Sequence, residues 1–220
     1  AVVAVRKASN AVVVVFRGTG VKGNPAKLVK NALVDANMRR ERIRWLPMKT
    51  RDTWTGLSKS RLKTWNWLRV HKGFSKEYDR MFKDVDNRIV SLLKRSDISR
   101  QKTDFYCIGF SLGASLATHC GAHLKLRFNI DPNVVIGASP RTGSKKFQVA
   151  YDELIKKSLR LMLEKDPVVQ VPGNILDKLY NHIGHRLLPL VSSSGNRLSG
   201  RQLEDRTHTW GNAKPFEAGE

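Results

Sequence analysis

The sequence predicts an α/β protein whose mixed, mostly parallel sheet carries helices on both faces. Two observations predict this class. Short apolar runs alternate with helical patterns along the second half of the chain, and a glycine-flanked turn joins one such run to a helix. The chain has 220 residues with no internal repeat or low-complexity linker, so it is long enough to bury one full core. We therefore expect a single domain over residues 1–220.

The elements are predicted in chain order. A hairpin comes first, with strands over residues 2–5 and 11–16, and a long polar segment follows it. Strands are then predicted over residues 105–108, 133–138 and 159–163, and helices over residues 114–126 and 144–158. The tail from Ser192 is predicted to be mainly loop. Before these, apolar residues at helical spacing predict an amphipathic helix; they are Phe74, Tyr78, Met81, Phe82, Val85, Ile89 and Leu92.

The glycine-flanked turn reads Gly109-Phe110-Ser111-Leu112-Gly113. Between a strand and a helix, the pattern GxSxG forms a sharp elbow that presents a serine hydroxyl at the edge of the sheet. Ser111 is therefore a candidate nucleophile. The N–H of Leu112 lies at the start of the helix, where it can receive a developing oxyanion. The alternative interpretation is a tight turn with an unreactive serine.

A serine hydroxyl needs a histidine base that is oriented by a carboxylate, and elbow hydrolases carry these groups in the order Ser, acid, His. Asp166 is the favoured acid because it follows a predicted strand and precedes a proline. The alternative acids are Asp152, Glu153 and Glu164, of which the first two lie on a predicted helix. His182 and His185 are candidate bases. We interpret the other histidines as core or surface groups; they are His71, His119, His123 and His208.

Six blocks of sequence, in this order and spacing, resemble the fungal-type class 3 lipases. They are residues 12–19 (VVVVFRGT), residues 70–74 (VHKGF), the elbow at 109–113, residues 138–143 (ASPRTG) with Phe147, Asp166-Pro167-Val168 with Val171-Pro172, and His182-Ile183-Gly184. The resemblance implies an α/β-hydrolase that cleaves carboxylic esters of acylglycerols. It also keeps open a phospholipase A1 or a general carboxylesterase.

The resemblance assigns roles by position. It implies that Ser111 is the nucleophile, Asp166 the orienting acid and His182 the base, because His182 precedes the x-Gly of the family pattern. It implies that Thr19 completes an oxyanion hole with Leu112. The stretch that follows the block ending in Thr19, roughly residues 20–70, corresponds to the lid of the resembling lipases.

Two positions at the elbow depart from the family pattern. Phe110 stands where family members usually carry histidine, and Ala114 stands where they usually carry glycine. We expect these changes to alter substrate choice rather than the chemistry. The chain also begins inside a strand pattern, where family members usually have helical sequence, which suggests an excised domain or a trimmed chain.

The charge is the second informative feature. Lys and Arg number 40 against 19 acids, a formal net charge of +21. Residues 21–73 hold 14 Lys or Arg, three acids and four of the five tryptophans: Trp45, Trp54, Trp65 and Trp67. Cations beside tryptophans are typical of a surface that binds a lipid headgroup layer, so we expect an anionic membrane or lipid droplet as partner. The alternative is a solvated basic face whose tryptophans pack inward, which is favoured for each ring taken singly, whereas the group favours an interface. Nucleic acid is less expected. A different class of function is a non-catalytic module that binds an anionic surface.

Cofactor chemistry has no support in the sequence, which contains neither CxxC nor HExxH. Cys107 and Cys120 flank the elbow and fit as buried thiols, with a disulfide between them as the alternative. No apolar run is long enough to span a membrane and no signal peptide is visible. We therefore expect a soluble or peripheral protein without cofactor or metal.

Overall fold

The computed structural model describes residues 1–6, 10–18, 39–46, 64–162, 168–169, 180–184 and 186–189. Its central sheet has six strands in the spatial order β1-β2-β5-β6-β7-β8. β1 pairs antiparallel with β2, and every later pairing in this sheet is parallel. The strands are β1 (Val2–Arg6), β2 (Ala11–Phe16), β5 (Asp104–Phe110), β6 (Asn133–Gly137), β7 (Ser158–Met162) and β8 (Arg186–Pro189). A separate antiparallel ribbon joins β3 (Arg40–Arg42) to β4 (Arg69–His71).

Local sequence sets where the three described helices begin and end. α1 spans Lys72–Leu93 and starts after His71, whose Nδ1 accepts the Gly73 N–H at 3.1 Å. α2 spans Leu112–Phe128 and ends at Asn129, which adopts the left-handed conformation with φ 55°. α3 spans Lys145–Leu154 and starts after Ser144, whose hydroxyl accepts the Phe147 N–H at 3.3 Å.

α2 is the centre of the core. Fourteen of its 17 residues are buried, and many are Ala, Gly or Ser, which allow the helix to approach its neighbours closely. The three described helices lie on one face of the sheet, since Tyr78 of α1 packs 6.0 Å from Phe16 of β2 and Tyr151 of α3 lies beside Gly121 of α2. The opposite face carries exposed side chains, including Val15 and Phe110. The predicted α/β class with a mixed, mostly parallel sheet is confirmed, while the described helices cover one face of it rather than the predicted two.

A buried polar network ties α1 to α2. The Tyr78 hydroxyl lies 2.9 Å from His123 Nδ1, and His123 Nε2 lies 2.9 Å from a carboxylate oxygen of Asp86. The Arg127 guanidinium donates to the same oxygen at 2.6 Å. Burial alone would raise the pKa of Asp86, but the hydrogen bonds from His123 and Arg127 overcome it and lower the pKa. The interpretation of His123 as a core group is confirmed.

The segment between β2 and β4 differs from its prediction in two ways. The ribbon was not predicted, because three-residue strands such as Arg-Glu-Arg carry no apolar alternation. Trp45 and Trp65 are each only 4 % exposed and belong to the core, so these two rings pack inward, as favoured for each tryptophan taken singly, and do not join the expected interfacial group. Packing explains this, because Trp45 lies against Tyr78 with its N–H directed at His119 Nδ1, 3.2 Å away. Trp54 lies outside the described residues.

Most of the other predicted elements are present in the structure. The hairpin and the amphipathic helix are confirmed as β1, β2 and α1. α3 ends four residues before its predicted end, because Ile155 turns to extended backbone and the chain enters β7. Cys107 and Cys120 are free, buried thiols in contact, so the alternative of a disulfide is not observed. Among the described helices, none has the length and apolar character to span a membrane.

Candidate active site

Ser111 sits on a strained turn between β5 and α2. Its backbone has φ 55° and ψ −125°, a region that L-residues rarely occupy and that costs on the order of 1–3 kcal/mol. Two hydrogen bonds hold the turn: the Ser111 N–H donates to the Gly137 carbonyl and the Ala114 N–H donates to the Ser111 carbonyl, both at 2.9 Å. The strand-turn-helix context expected from GxSxG is therefore present.

Both positions that flank the elbow must be glycine because neighbouring backbone atoms leave no room for a side chain there. A Cβ atom on Gly109 would lie 2.0 Å from the Gly113 carbonyl oxygen. A Cβ atom on Gly113 would lie 2.2 Å from the carbonyl oxygen of Phe16, at the end of β2. Both neighbours are backbone atoms, which cannot rotate away. The two glycines thus allow α2 to start directly against the sheet and fix the direction of Ser111.

The hydroxyl of Ser111 is buried and makes no hydrogen bond with the described residues. Ser111 is 4 % exposed, and within the described parts of the chain its Oγ has no hydrogen-bond partner. Leu112 is the first residue of α2, so its N–H makes no intrahelical bond. A Cβ atom on Gly18 would lie 3.4 Å from that of Ser111, which brings the chain after β2 to the nucleophile. Thr19, the next residue, lies outside the described residues.

His182 is joined to the elbow through a short chain of contacts. Val168 and Phe74 form a small apolar cluster against which Leu112 packs. The backbone of the next residue, Val169, makes a hydrogen bond with His182. On its other side, the N–H of Asn181 donates to the carbonyl of Gly143 at 2.7 Å. These contacts connect the segment of His182 to the start of α2, although Ser111 Oγ and His182 Nδ1 make no hydrogen bond with each other.

Burial and two arginines control the charge of His182. Burial lowers its pKa well below 6.5, and the charges of Arg160 and Arg141 lower it further, while the hydrogen bond with Val169 opposes them. Among the described residues, His182 Nδ1 has no hydrogen-bond partner. The imidazole is therefore neutral at neutral pH, which is the form that accepts a proton from a serine.

The sequence did not point to Arg141 and Arg160 as parts of the site. Arg141 lies in the block at residues 138–143, and Arg160 lies at the middle of β7. Burial lowers the pKa of Arg160 to about 10, and its Nη1 is buried without a partner among the described residues. The only signal available was a charged residue within an apolar strand pattern, which is unusual unless the charge has a local role.

The structure also places the alternative acids. Asp152 accepts the Gly184 N–H at 3.0 Å and an amide hydrogen of Gln148 at 3.0 Å, so it anchors the segment that follows His182. Gly184 has φ 113°, where a side chain would be strained. Glu153 is exposed. Asp166, Glu164 and His185 lie outside the described residues, and no group of three metal-ligating side chains occurs within the described ranges.

Several solved structures that are similar to this chain are lipases. A mono- and diacylglycerol lipase from Aspergillus oryzae matches with a TM-score of 0.61 and 21% identity, covering 83% of this chain and 55% of that one. Lip2 lipase from Yarrowia lipolytica matches with a TM-score of 0.63 and 21% identity, and the match covers 86% of this chain and 60% of the Lip2 chain. A Rhizomucor miehei lipase in complex with its propeptide gives a TM-score of 0.64 at 18% identity, with coverages of 87% and 52%. The chain thus spans about half the length of these relatives, and at such identity they show the α/β-hydrolase fold.

Sequence comparison agrees with the fold. Lipase ZK262.3 from Caenorhabditis elegans is 38% identical over 80 residues, which are 35% of this chain and 23% of that protein. The model of the family described as Lipase (class 3) matches residues 13–175, a range that includes most of β2, the elbow, the ASPRTG block and the position of Asp166. With nearly three quarters of its length inside that match, the chain belongs to the class 3 lipase family.

Proposed function

We propose that this chain hydrolyses carboxylic esters of lipids through an acyl-enzyme on Ser111. The observation that carries the proposal is the strained Ser111, whose buried Oγ is free of hydrogen bonds among the described residues and lies beside the first N–H of α2. Strain of this kind persists where it serves a function. A serine with a purely structural role would use its hydroxyl, as Ser115 does in its hydrogen bond with Thr142.

The proposed chemistry has two halves. In the first, Ser111 Oγ attacks the ester carbonyl carbon while His182 takes the hydroxyl proton, and the negative oxygen that forms is stabilised by the Leu112 N–H, with Thr19 as the second donor. His182 then gives its proton to the departing alcohol, which leaves an acyl group on Ser111. In the second half, water attacks the acyl carbon, and His182 again takes and returns a proton. The carboxylic acid departs, Ser111 is regenerated, and Asp166 orients His182 throughout.

Acylglycerols are the proposed substrates. Support comes from the family and from the fold relatives, one of which is named as a mono- and diacylglycerol lipase and another as a triacylglycerol lipase. The exposed ring of Phe110 packs against Gly137 beside the nucleophile, where an apolar side chain favours an acyl chain over a polar group. The segment of roughly residues 20–70 is proposed as the lid over this site, on the basis of the family.

A fluorophosphonate probe tests the nucleophile. It reacts covalently with an activated serine, so we expect labelling at Ser111 alone and loss of labelling in Ser111→Ala, with turnover of a short-chain ester reduced about 10³-fold or more. Ser115→Ala is the matched control, because Ser115 is a buried serine one turn along the same helix. Labelling that survives in Ser111→Ala, or undiminished turnover, contradicts the proposal and favours the non-catalytic module.

The two candidate bases are separated by the same assay. His182→Ala is expected to reduce labelling and turnover as severely as Ser111→Ala, because only one imidazole can bridge Ser111 and its acid. His185→Ala should retain turnover within about tenfold of the parent. If the two variants exchange these effects, the base lies three residues further along the chain. A panel of acylglycerols, phospholipids and short-chain esters then ranks the substrates.

A further inference from the structure

The ribbon of β3 and β4 presents positive charge that no described acid neutralises. We define the basic ribbon as Arg39, β3, β4 and Trp67. Arg39, Arg40 and Arg42 are exposed, and no carboxylate among the described residues pairs with them. The single acid of the ribbon, Glu41, is committed to Arg44 through two hydrogen bonds. Three adjacent guanidinium groups therefore face solvent, although like charges repel.

Trp67 adds an exposed aromatic ring to this charge. It is 61 % exposed, whereas Trp45 and Trp65 are buried. The guanidinium of Arg42 lies 4.3 Å above the centre of the Trp67 ring. The arginine covers one face of the indole and leaves the rest in contact with solvent. An exposed indole beside guanidinium groups is the combination that settles at the boundary between lipid headgroups and acyl chains.

Backbone hydrogen bonds attach the ribbon to the candidate active site. The His71 N–H donates to the Thr142 carbonyl at 3.0 Å, and the Lys72 N–H donates to the Arg39 carbonyl at 2.9 Å. Gly143 bridges both Val70 of β4 and Asn181, the residue before His182. A surface that contacts the basic ribbon is therefore held next to the segment that carries the candidate base.

We propose that the basic ribbon binds an anionic lipid layer, with its three arginines on the phosphate groups and Trp67 in the interfacial region. The proposal rests on the proposed function, because it positions the ester-cleaving site at the layer that contains its substrates. Arginine binds phosphate in two-point geometry and is more weakly hydrated than lysine, which suits a crowded headgroup surface. Nucleic acid fits less well, since a single indole covered on one face by Arg42 offers no series of stacking platforms.

The experiment compares two charge-matched variants. The test variant is Arg39→Gln with Arg40→Gln and Arg42→Gln. The control variant is Lys94→Gln with Arg100→Gln and Lys102→Gln, three exposed cations in the segment that follows α1, whose length separates its end from the ribbon by about 30 Å. Binding of each to vesicles of phosphatidylglycerol and phosphatidylcholine, and to phosphatidylcholine alone, is measured by sedimentation. Far-UV circular dichroism and turnover of a soluble short-chain ester report the fold and the Ser111 site.

We expect the test variant to lose about 100-fold in partitioning to the anionic vesicles, on the basis of about a fivefold contribution from each cation at a membrane surface. The control variant should stay within about threefold of the parent, and the parent should bind neutral vesicles weakly and lose anionic binding as salt screens the charges. Trp67→Ser should reduce the blue shift of tryptophan emission that vesicles cause in the parent.

Several results overturn the proposal. Equal losses of vesicle binding in both variants show that the net charge of the protein, and not the ribbon, drives binding. Unchanged binding in the test variant shows that the three arginines form a solvated surface without a lipid partner. A test variant that loses single-stranded DNA binding but keeps vesicle binding assigns the ribbon to nucleic acid. Failure of the proposed function gives a different pattern. If the parent binds vesicles through the ribbon but hydrolyses no ester, the lipid-binding role of the ribbon is retained and the enzymatic function is contradicted.

Discussion

Replacing Gly113 with alanine is expected to separate the helix that carries Ser111 from β2. The new Cβ would lie 2.2 Å from the Phe16 carbonyl oxygen and 2.9 Å from the carbonyl carbon of Arg17. Ordinary contact between such atoms begins at 3.4 Å. The start of α2 must therefore move by about 1.2 Å, because both neighbours are backbone atoms at the end of the central strand β2 and just after it.

The size of the effect follows from this movement. Extra atoms forced into a packed core cost about 1–3 kcal/mol, and the backbone position of the neighbours puts this site at about 3 kcal/mol or more. A displacement of about 1 Å at a reacting group costs about 100-fold in rate. We therefore expect Gly113→Ala to lose about 3 kcal/mol in the free energy of unfolding and about 100-fold in the rate at which a fluorophosphonate labels Ser111.

Urea unfolding and the labelling rate measure the two quantities. Ala114→Gly is the matched control, because it changes the next residue in the opposite direction and should cost only about 1 kcal/mol of helix stability. The reasoning is refuted if Gly113→Ala unfolds within about 1 kcal/mol of the parent and labels within about threefold of it. That outcome would mean that α2 does not need its close approach to β2.

Two further predictions concern histidines. Arg160→Gln should move the acid limb of kcat/KM for a soluble ester to higher pH. The charge of Arg160 lowers the pKa of His182, so removing that charge raises the pKa. The imidazole is then protonated at a higher pH, and in that form it cannot act as a base. An acid limb that stays in place or moves to lower pH contradicts this. Burial lowers the pKa of His119 to about 3. Below about pH 6.5 the unfolded chain therefore binds a proton at His119 that the folded chain does not bind, so the free energy of unfolding falls as the pH drops. Thermal midpoints between pH 7 and 4 should fall less steeply in His119→Gln, and equal slopes would show that His119 does not contribute.

The sequence predicted those parts of the molecule that depend on local pattern. The elbow was predictable because Gly109, Ser111 and Gly113 impose one geometry wherever a strand runs into a helix. The amphipathic helix was predictable because its apolar residues recur at the helical period. The core interpretation of His119 and His123 followed from their place on the helix after the elbow, away from its mouth.

Other features depend on contacts between distant parts of the chain. Arg160 approaches His182 because β7 pairs with β6 in a register that directs it, with Ile136, toward the helices. The ribbon forms because Arg40–Arg42 meets residues 69–71 across a long insertion, and its three-residue strands have no periodicity to detect. Trp45 is buried because Tyr78, Phe82 and two histidines surround it, which its basic neighbours in the sequence could not indicate.

The burial of α2 on nearly all sides has a consequence for motion. A helix packed against the sheet, α1 and α3 can loosen only when those contacts are lost together, so its amide hydrogens should exchange only on global unfolding. Ser111 immediately precedes that helix, so its position is fixed by the same contacts. The segment around His182 is attached by fewer contacts, among them the Asn181 N–H to the Gly143 carbonyl and the Gly184 N–H to the Asp152 carboxylate. Any opening that admits a substrate is therefore expected in the chain around α2, while Ser111 keeps its position.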